Sequence, residues 1–156
     1  MTTTGGGRAN QAWEALLSAH AVLMKRFADE DVWHELSMRE YDVLYTLSKC
    51  RTPVRLGELH SHVLLSQPAL SRLVDRIVGR GFVERRADPQ DGRSVRLSLT
   101  DAGRQTQRQI GQAHGRSVAR AVTERINAEE LRQLTTICRK LAETPEPTTD
   151  GRGAHR

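Results

Sequence analysis

Between Ser66 and Thr100 the chain changes its period from that of a helix to that of a strand, then turns and runs back as a second strand. The segment is SQPALSRLVDRIVGRGFVERRADPQDGRSVRLSLT, and a helix followed at once by a hairpin admits few architectures. Leu70, Leu73, Val74 and Ile77 recur at three- and four-residue spacing and so share one helical face. At about 100° per residue the opposite face carries Pro68, Ser71, Arg72 and Asp75, with Arg76 at its edge. Ser66 is placed to cap this helix, with Gln67 and Pro68 in its first turn, where a backbone N–H is not needed. Gly79 and Gly81 mark its end.

Residues 82–86 and 95–99 are short and β-prone, and Val95, Leu97 and Leu99 alternate with Arg96 and Ser98. Between them Asp91-Gly92 signals a turn, on the expectation that Gly92 adopts positive φ, and Asp91 supports it. Arg93 and Ser94 then sit near the hairpin tip. An apolar face for a scaffold, an opposite face bearing Ser71 and Arg72, and an arginine on a projecting hairpin together suit DNA. Arg reads guanine edges bidentately, and an Arg on a wing suits a narrow, electronegative minor groove. Charge agrees: the chain carries a net +5, and residues 51–100 hold nine Arg against five acids. A basic segment of this kind is the footprint of a polyanion partner.

The pattern made by Leu70, Leu73-Val74-Asp75-Arg76, Gly81, Val83-Glu84-Arg85-Arg86, Asp88-Pro89, Asp91, Arg93-Ser94, Leu97, Leu99-Thr100 and Gly103 resembles the winged helix of the MarR (multiple antibiotic resistance regulator) family. The resemblance implies a mainly α fold with a small β-wing, a winged helix-turn-helix flanked by N- and C-terminal dimerisation helices. It also implies a small-molecule effector. Family members bind phenolic acids, purine metabolites such as urate, or drugs in a pocket between the dimer helices and the winged helix. Trp13, His20, Tyr41, Asp42 and Arg76 are the residues matched to that pocket.

The remaining chain fits this plan. Trp13, Leu16, Leu17, His20, Leu23, Met24 and Phe27 form a stripe on a helix expected over about 9–31. Ser37 and Glu40 make a capping box for a helix to about Lys49, with Tyr41, Leu44, Tyr45 and Leu47 inward. Pro53 stops further helix, and residues 56–63 form the first helix of the helix-turn-helix. Arg55, just before it, is a candidate phosphate clamp. Asp75, on a face that meets phosphate, is expected to hold Arg72 or a wing arginine instead. Thr100 caps a helix to about Arg125, and Asn127 with Glu130 opens a last helix bearing Leu131, Leu134, Ile137, Cys138 and Leu141. The terminal helices have little to bury against within one chain, which points to a homodimer on a pseudo-palindromic operator in double-stranded DNA. The winged helix is expected over about 37–100 within a single domain of 9–143, with disordered tails at 1–8 and 144–156.

Other chemistries find little purchase. The chain has no G-x-S-x-G, phosphate loop or Cys-x-x-Cys, and its six His are scattered, so no enzyme, metal site or cofactor is expected. Two cysteines make no disulfide framework, and neither an apolar leader nor a membrane span is present, so a cytoplasmic, reduced protein is expected. Two alternatives stand beside the ligand-released repressor. One is a thiol redox sensor using Cys50 or Cys138, although Cys138 on its apolar stripe reads first as a small buried hydrophobe. The other is a winged-helix interaction module without operator binding.

Overall fold

The computed structural model describes residues 4–143. The tail expected at 144–156, with His155, and residues 1–3 lie outside that range. Helix α1 (Thr4–Ala28) begins well before the expected residue 9, so residues 4–8 are helical. Its glycines each cost about 1 kcal/mol, a penalty that a long helix already nucleated downstream can carry. It also ends earlier than expected. The Trp33 indole donates to the Phe27 carbonyl at 2.7 Å, taking a group that continued helix would have used.

Helix α2 (Met38–Lys49) opens on the expected capping box: Ser37 N–H donates to Glu40 Oε2 at 2.8 Å and Glu40 N–H to Ser37 Oγ at 3.2 Å. Tyr41, Val43, Leu44 and Leu47 are buried. Tyr45, expected inward, is instead exposed, with the Lys49 ammonium 4.7 Å above its ring. Strand β1 (Val54–Arg55) then leads directly into α3 (Leu56–His60), shorter than the expected 56–63. Helix α4 (Gln67–Gly79), strands β2 (Val83–Ala87) and β3 (Val95–Leu99), and helices α5 (Asp101–Thr123) and α6 (Ala128–Ala142) complete the order.

The sheet is antiparallel in the order β1-β3-β2, with Val54 and Arg85 both opposite Leu97, and Arg55 and Arg86 both opposite Arg96. The core lies where α2, α3 and α4 meet one another and this sheet, through Val43, Leu44, Leu59, Leu70, Val74, Ile77, Val83, Leu97 and Leu99. Gly81, at φ 78°, reverses the chain out of α4. The root of the wing is locked where α5 begins. Thr100 Oγ1 donates to the Gly81 carbonyl at 2.6 Å and accepts from Gly103 N–H at 3.0 Å. Gly103 lies so close to β2 that a Cβ there would stand 1.9 Å from the Phe82 carbonyl oxygen.

The chain divides into two compact units, the boundary falling after Ala119 within α5. In the second, α6 starts on a capping box of Asn127 and Glu130 and leaves Leu134, Ile137 and Leu141 exposed at 44%, 55% and 68%. Cys138, expected as a small buried hydrophobe, is exposed as well. Among the described residues no helix is long and apolar enough to cross a membrane.

Candidate nucleic-acid interface

Helix α4 owes its form to its sequence at both edges. The Ser66 hydroxyl accepts from Ala69 N–H at 3.4 Å, Pro68 occupies the first turn, and Leu70, Leu73, Val74 and Ile77 are buried. With that face fixed, Gln67, Pro68 and Arg72 are exposed and Ser71 half-buried. Of the two partners open to Asp75, the structure selects the wing: its carboxylate pairs with Arg85 of β2, not with Arg72. Arg72 is thereby left on the exposed face beside a carboxylate occupied elsewhere.

Arg76 turns the other way. Its Nε lies 3.3 Å from Glu40 Oε1, and Arg80 approaches the same carboxylate at 3.8 Å. Burial works to raise the Glu40 carboxyl, but the Ser37 hydrogen bonds and Arg76 outweigh it and hold its pKa below the ordinary value. Arg76 thus ties α4 to the start of α2, whereas the sequence had placed it with both DNA and ligand.

The wing turn is built by two aspartates. Asp91 Oδ1 accepts from Arg93 N–H at 3.1 Å and Oδ2 from the Ser94 hydroxyl at 2.7 Å, while Ser94 N–H donates to the Asp91 carbonyl at 2.9 Å. The half-buried Ser94 is engaged within the turn by these bonds, and the Arg93 side chain is left exposed. Gly92 does not take the expected positive φ, since Gly81 is the one glycine that does among the described residues. Side-chain hydrogen bonds close this turn without it.

Asp88, one of the residues of the family pattern, is the most enclosed carboxylate of the wing. Its side chain is wholly buried; Oδ2 lies 2.6 Å from an Arg55 terminal nitrogen and 3.1 Å from Arg96 Nε, and Oδ1 accepts from Gln90 N–H at 3.0 Å. The Gln90 hydrogen bond lowers its pKa most, burial opposes, and the two arginines lower it further, to about 2. Arg55, expected as a phosphate clamp, is thus held by Asp88 where the wing turn begins, with 43% of its side chain exposed.

The ligand-matched residues divide. His20 and Asp42 line a cleft of about 920 Å³ formed by α1, α2 and the turn between α3 and α4, together with Lys25, Arg39, Tyr45 and His62. Trp13, Tyr41 and Arg76 do not line it. Trp13 is 58% exposed on α1 two turns before His20, left uncovered by the described residues. Tyr41 is core, its ring 5.4 Å from Trp33 and 5.9 Å from His114. Asp42 is exposed as a residue, yet protein crowds its carboxyl: burial raises its pKa, and the charge of His114 pulls against this. His114 itself was overlooked. Its ring packs 5.1 Å from Phe27 and 4.8 Å from Trp33, and its Nδ1 lies 3.8 Å from Glu30 Oε2. Its position four residues after the buried Ile110 was the available signal. Among the described residues, no group of three or more His, Cys, Asp or Glu is placed to hold a metal ion.

A profile of the MarR family matches residues 36–95. The chain is 30% identical over 109 residues to the multiple antibiotic resistance protein MarR of Escherichia coli, covering 69% of this chain and 74% of that protein. Its fold superposes with a TM-score of 0.76 on Sco3205, a MarR family transcriptional regulator from Streptomyces coelicolor in complex with DNA, at 26% identity over 91% of this chain and 90% of that one. The PcaV transcriptional regulator from the same organism, in complex with its natural ligand, matches at a TM-score of 0.63 and 25% identity, covering 90% and 92%.

Proposed function

Because the chain belongs to the MarR family, whose members are transcription regulators and not enzymes, we propose that it is a cytoplasmic, dimeric repressor that binds a pseudo-palindromic operator and is released by a small ligand. The observation that carries the DNA reading is the setting of α4. One face is fixed in the core, and the other presents Ser71 and Arg72 next to a wing whose turn leaves Arg93 exposed. Gln67 and Pro68 meet the groove at the helix start, and Arg55 offers its exposed edge to a phosphate. The exposed apolar stripe on α1, through Trp13 and Leu17, and that on α6 support a homodimer, since a second copy would cover them.

The cleft supports the effector. Lys25 and Arg39 give it a cationic wall, with His20 and His62 as further hydrogen-bonding groups, near one carboxylate, Asp42, whose raised pKa marks a group that gains from a hydrogen-bond donor. A planar aromatic or purine-like metabolite carrying both negative charge and N–H groups fits that wall. It releases DNA only if it binds the DNA-free conformation better, for instance by changing the spacing of the two α4 helices. The test is tryptophan fluorescence and operator binding against a panel of such compounds. A compound that loosens operator binding by wild type, and does so weakly with His20→Ala or Asp42→Ala, supports the reading. Release by oxidant alone would replace it with thiol control through Cys50 or Cys138.

A further inference from the structure

Arg55, Arg96 and Arg86 stand directly opposite one another across the three strands of the wing sheet. Like charges in register repel, and a two-residue strand such as β1 has little backbone pairing with which to resist. Arg86 is relieved within its own strand by Glu84 at 2.7 Å. The other two converge on Asp88, the last residue before the wing turn. We propose that Asp88 is a positioning residue for operator recognition: it clasps β1 to β3 through Arg55 and Arg96, holds Gln90 of the wing turn, and so aims Arg93 without touching DNA. The inference rests on the reading of Arg93 as a DNA contact.

Three features support it. The carboxylate is wholly buried and accepts from Gln90 N–H within the turn, so the clasp and the turn share one group. Asp88 N–H and carbonyl close both ends of the turn, donating to the Ser94 carbonyl at 2.9 Å and accepting from Asp91 N–H at 3.3 Å. Arg55 is also the residue from which α3 starts, its N–H donating to Glu58 Oε2 at 2.9 Å. The clasp therefore joins the wing to the first helix of the helix-turn-helix, and the two act on DNA as one rigid piece.

The sign of the effect separates this role from simple electrostatics. Asp88→Asn removes a negative charge, so charge alone predicts tighter binding to any DNA. Positioning predicts that the operator is bound less well while random DNA is not. The experiment is a fluorescence anisotropy titration of full-length wild type, Asp88→Asn, Arg93→Ala and the double variant, on an operator duplex and a scrambled duplex across salt. We expect Asp88→Asn to lower the ratio of operator to scrambled affinity by about tenfold, and to add little in the Arg93→Ala background, as for residues that act as a unit. An unchanged ratio in Asp88→Asn, beside a lowered one in Arg93→Ala, overturns the inference and leaves the wing reading intact. An unchanged ratio in both overturns the wing reading and the inference with it. Should Asp88→Asn lose its helical circular dichroism, Arg55→Gln takes its place. A clasp predicts the same coupling to Arg93, whereas a pure phosphate contact predicts a salt slope shallower by about one and no coupling.

Discussion

Arg72 and Arg93 are the same side chain in different settings, and the proposed function assigns them different tasks. Arg72 projects from the middle of a helix whose far face is buried, which is the geometry for reading base edges. Arg72→Ala should reduce discrimination between operator and random duplex. Arg93→Ala should cost about 1–3 kcal/mol of operator affinity with the fold intact, as loss of a groove insertion would. Competition gel shifts with circular dichroism check both, and an equal fall on both duplexes would make Arg72 a phosphate contact. Asp88 gives a pH test. Its folded pKa of about 2 lies below the ordinary 3.8, so its contribution is fully present above about pH 4 and is lost as pH falls through about 2. The melting-temperature gap between wild type and Asp88→Asn should be constant from pH 7 to about 4 and should close below that. The exposed arginine pair and the Ser66 cap were legible in the sequence because both depend on near neighbours. Asp88 was not, because its partner Arg55 lies 33 residues away and nothing local announces the contact.

Elements show the same division. Helices α2 and α6 were placed by capping boxes, in which side chains three residues apart satisfy the helix start without outside help. Strand β1 was missed because two residues carry no period, and its identity comes from pairing with β3. The turn signal at Asp91-Gly92 located the hairpin for a reason that does not hold, since aspartate side chains and not glycine conformation close it. Gly103 is the reverse case: a letter in the pattern whose cause is tertiary, the close approach of α5 to the Phe82 carbonyl. Gly103→Ala forces a Cβ into that carbonyl. It should destabilise the protein by about 1–3 kcal/mol, the cost of overpacking where backbone cannot yield easily. Urea unfolding checks this, and an unchanged midpoint would mean that α5 and the wing root separate readily.

At the scale of the whole molecule, single-chain geometry leaves apolar residues of α1 and α6 in water. Trp13, expected at the ligand pocket, is exposed on this stripe and does not line the cleft of His20 and Asp42: position along a stripe says that a residue is covered, not by what. If a second copy covers these stripes, as proposed, the full chain should sediment as a dimer at micromolar concentration, while removal of residues 127–156 should leave monomer or aggregate. A stable, monodisperse monomer of the full chain would contradict the assembly. The central claim is that two α4 helices, held in one dimer, read a repeated site. Hydroxyl-radical footprinting on the DNA upstream of the chain's own gene tests it most directly. The account predicts two discrete protections related by pseudo-twofold symmetry and centred about one helical turn, ~34 Å, apart. Uniform, unstructured protection at concentrations that saturate the DNA would contradict it.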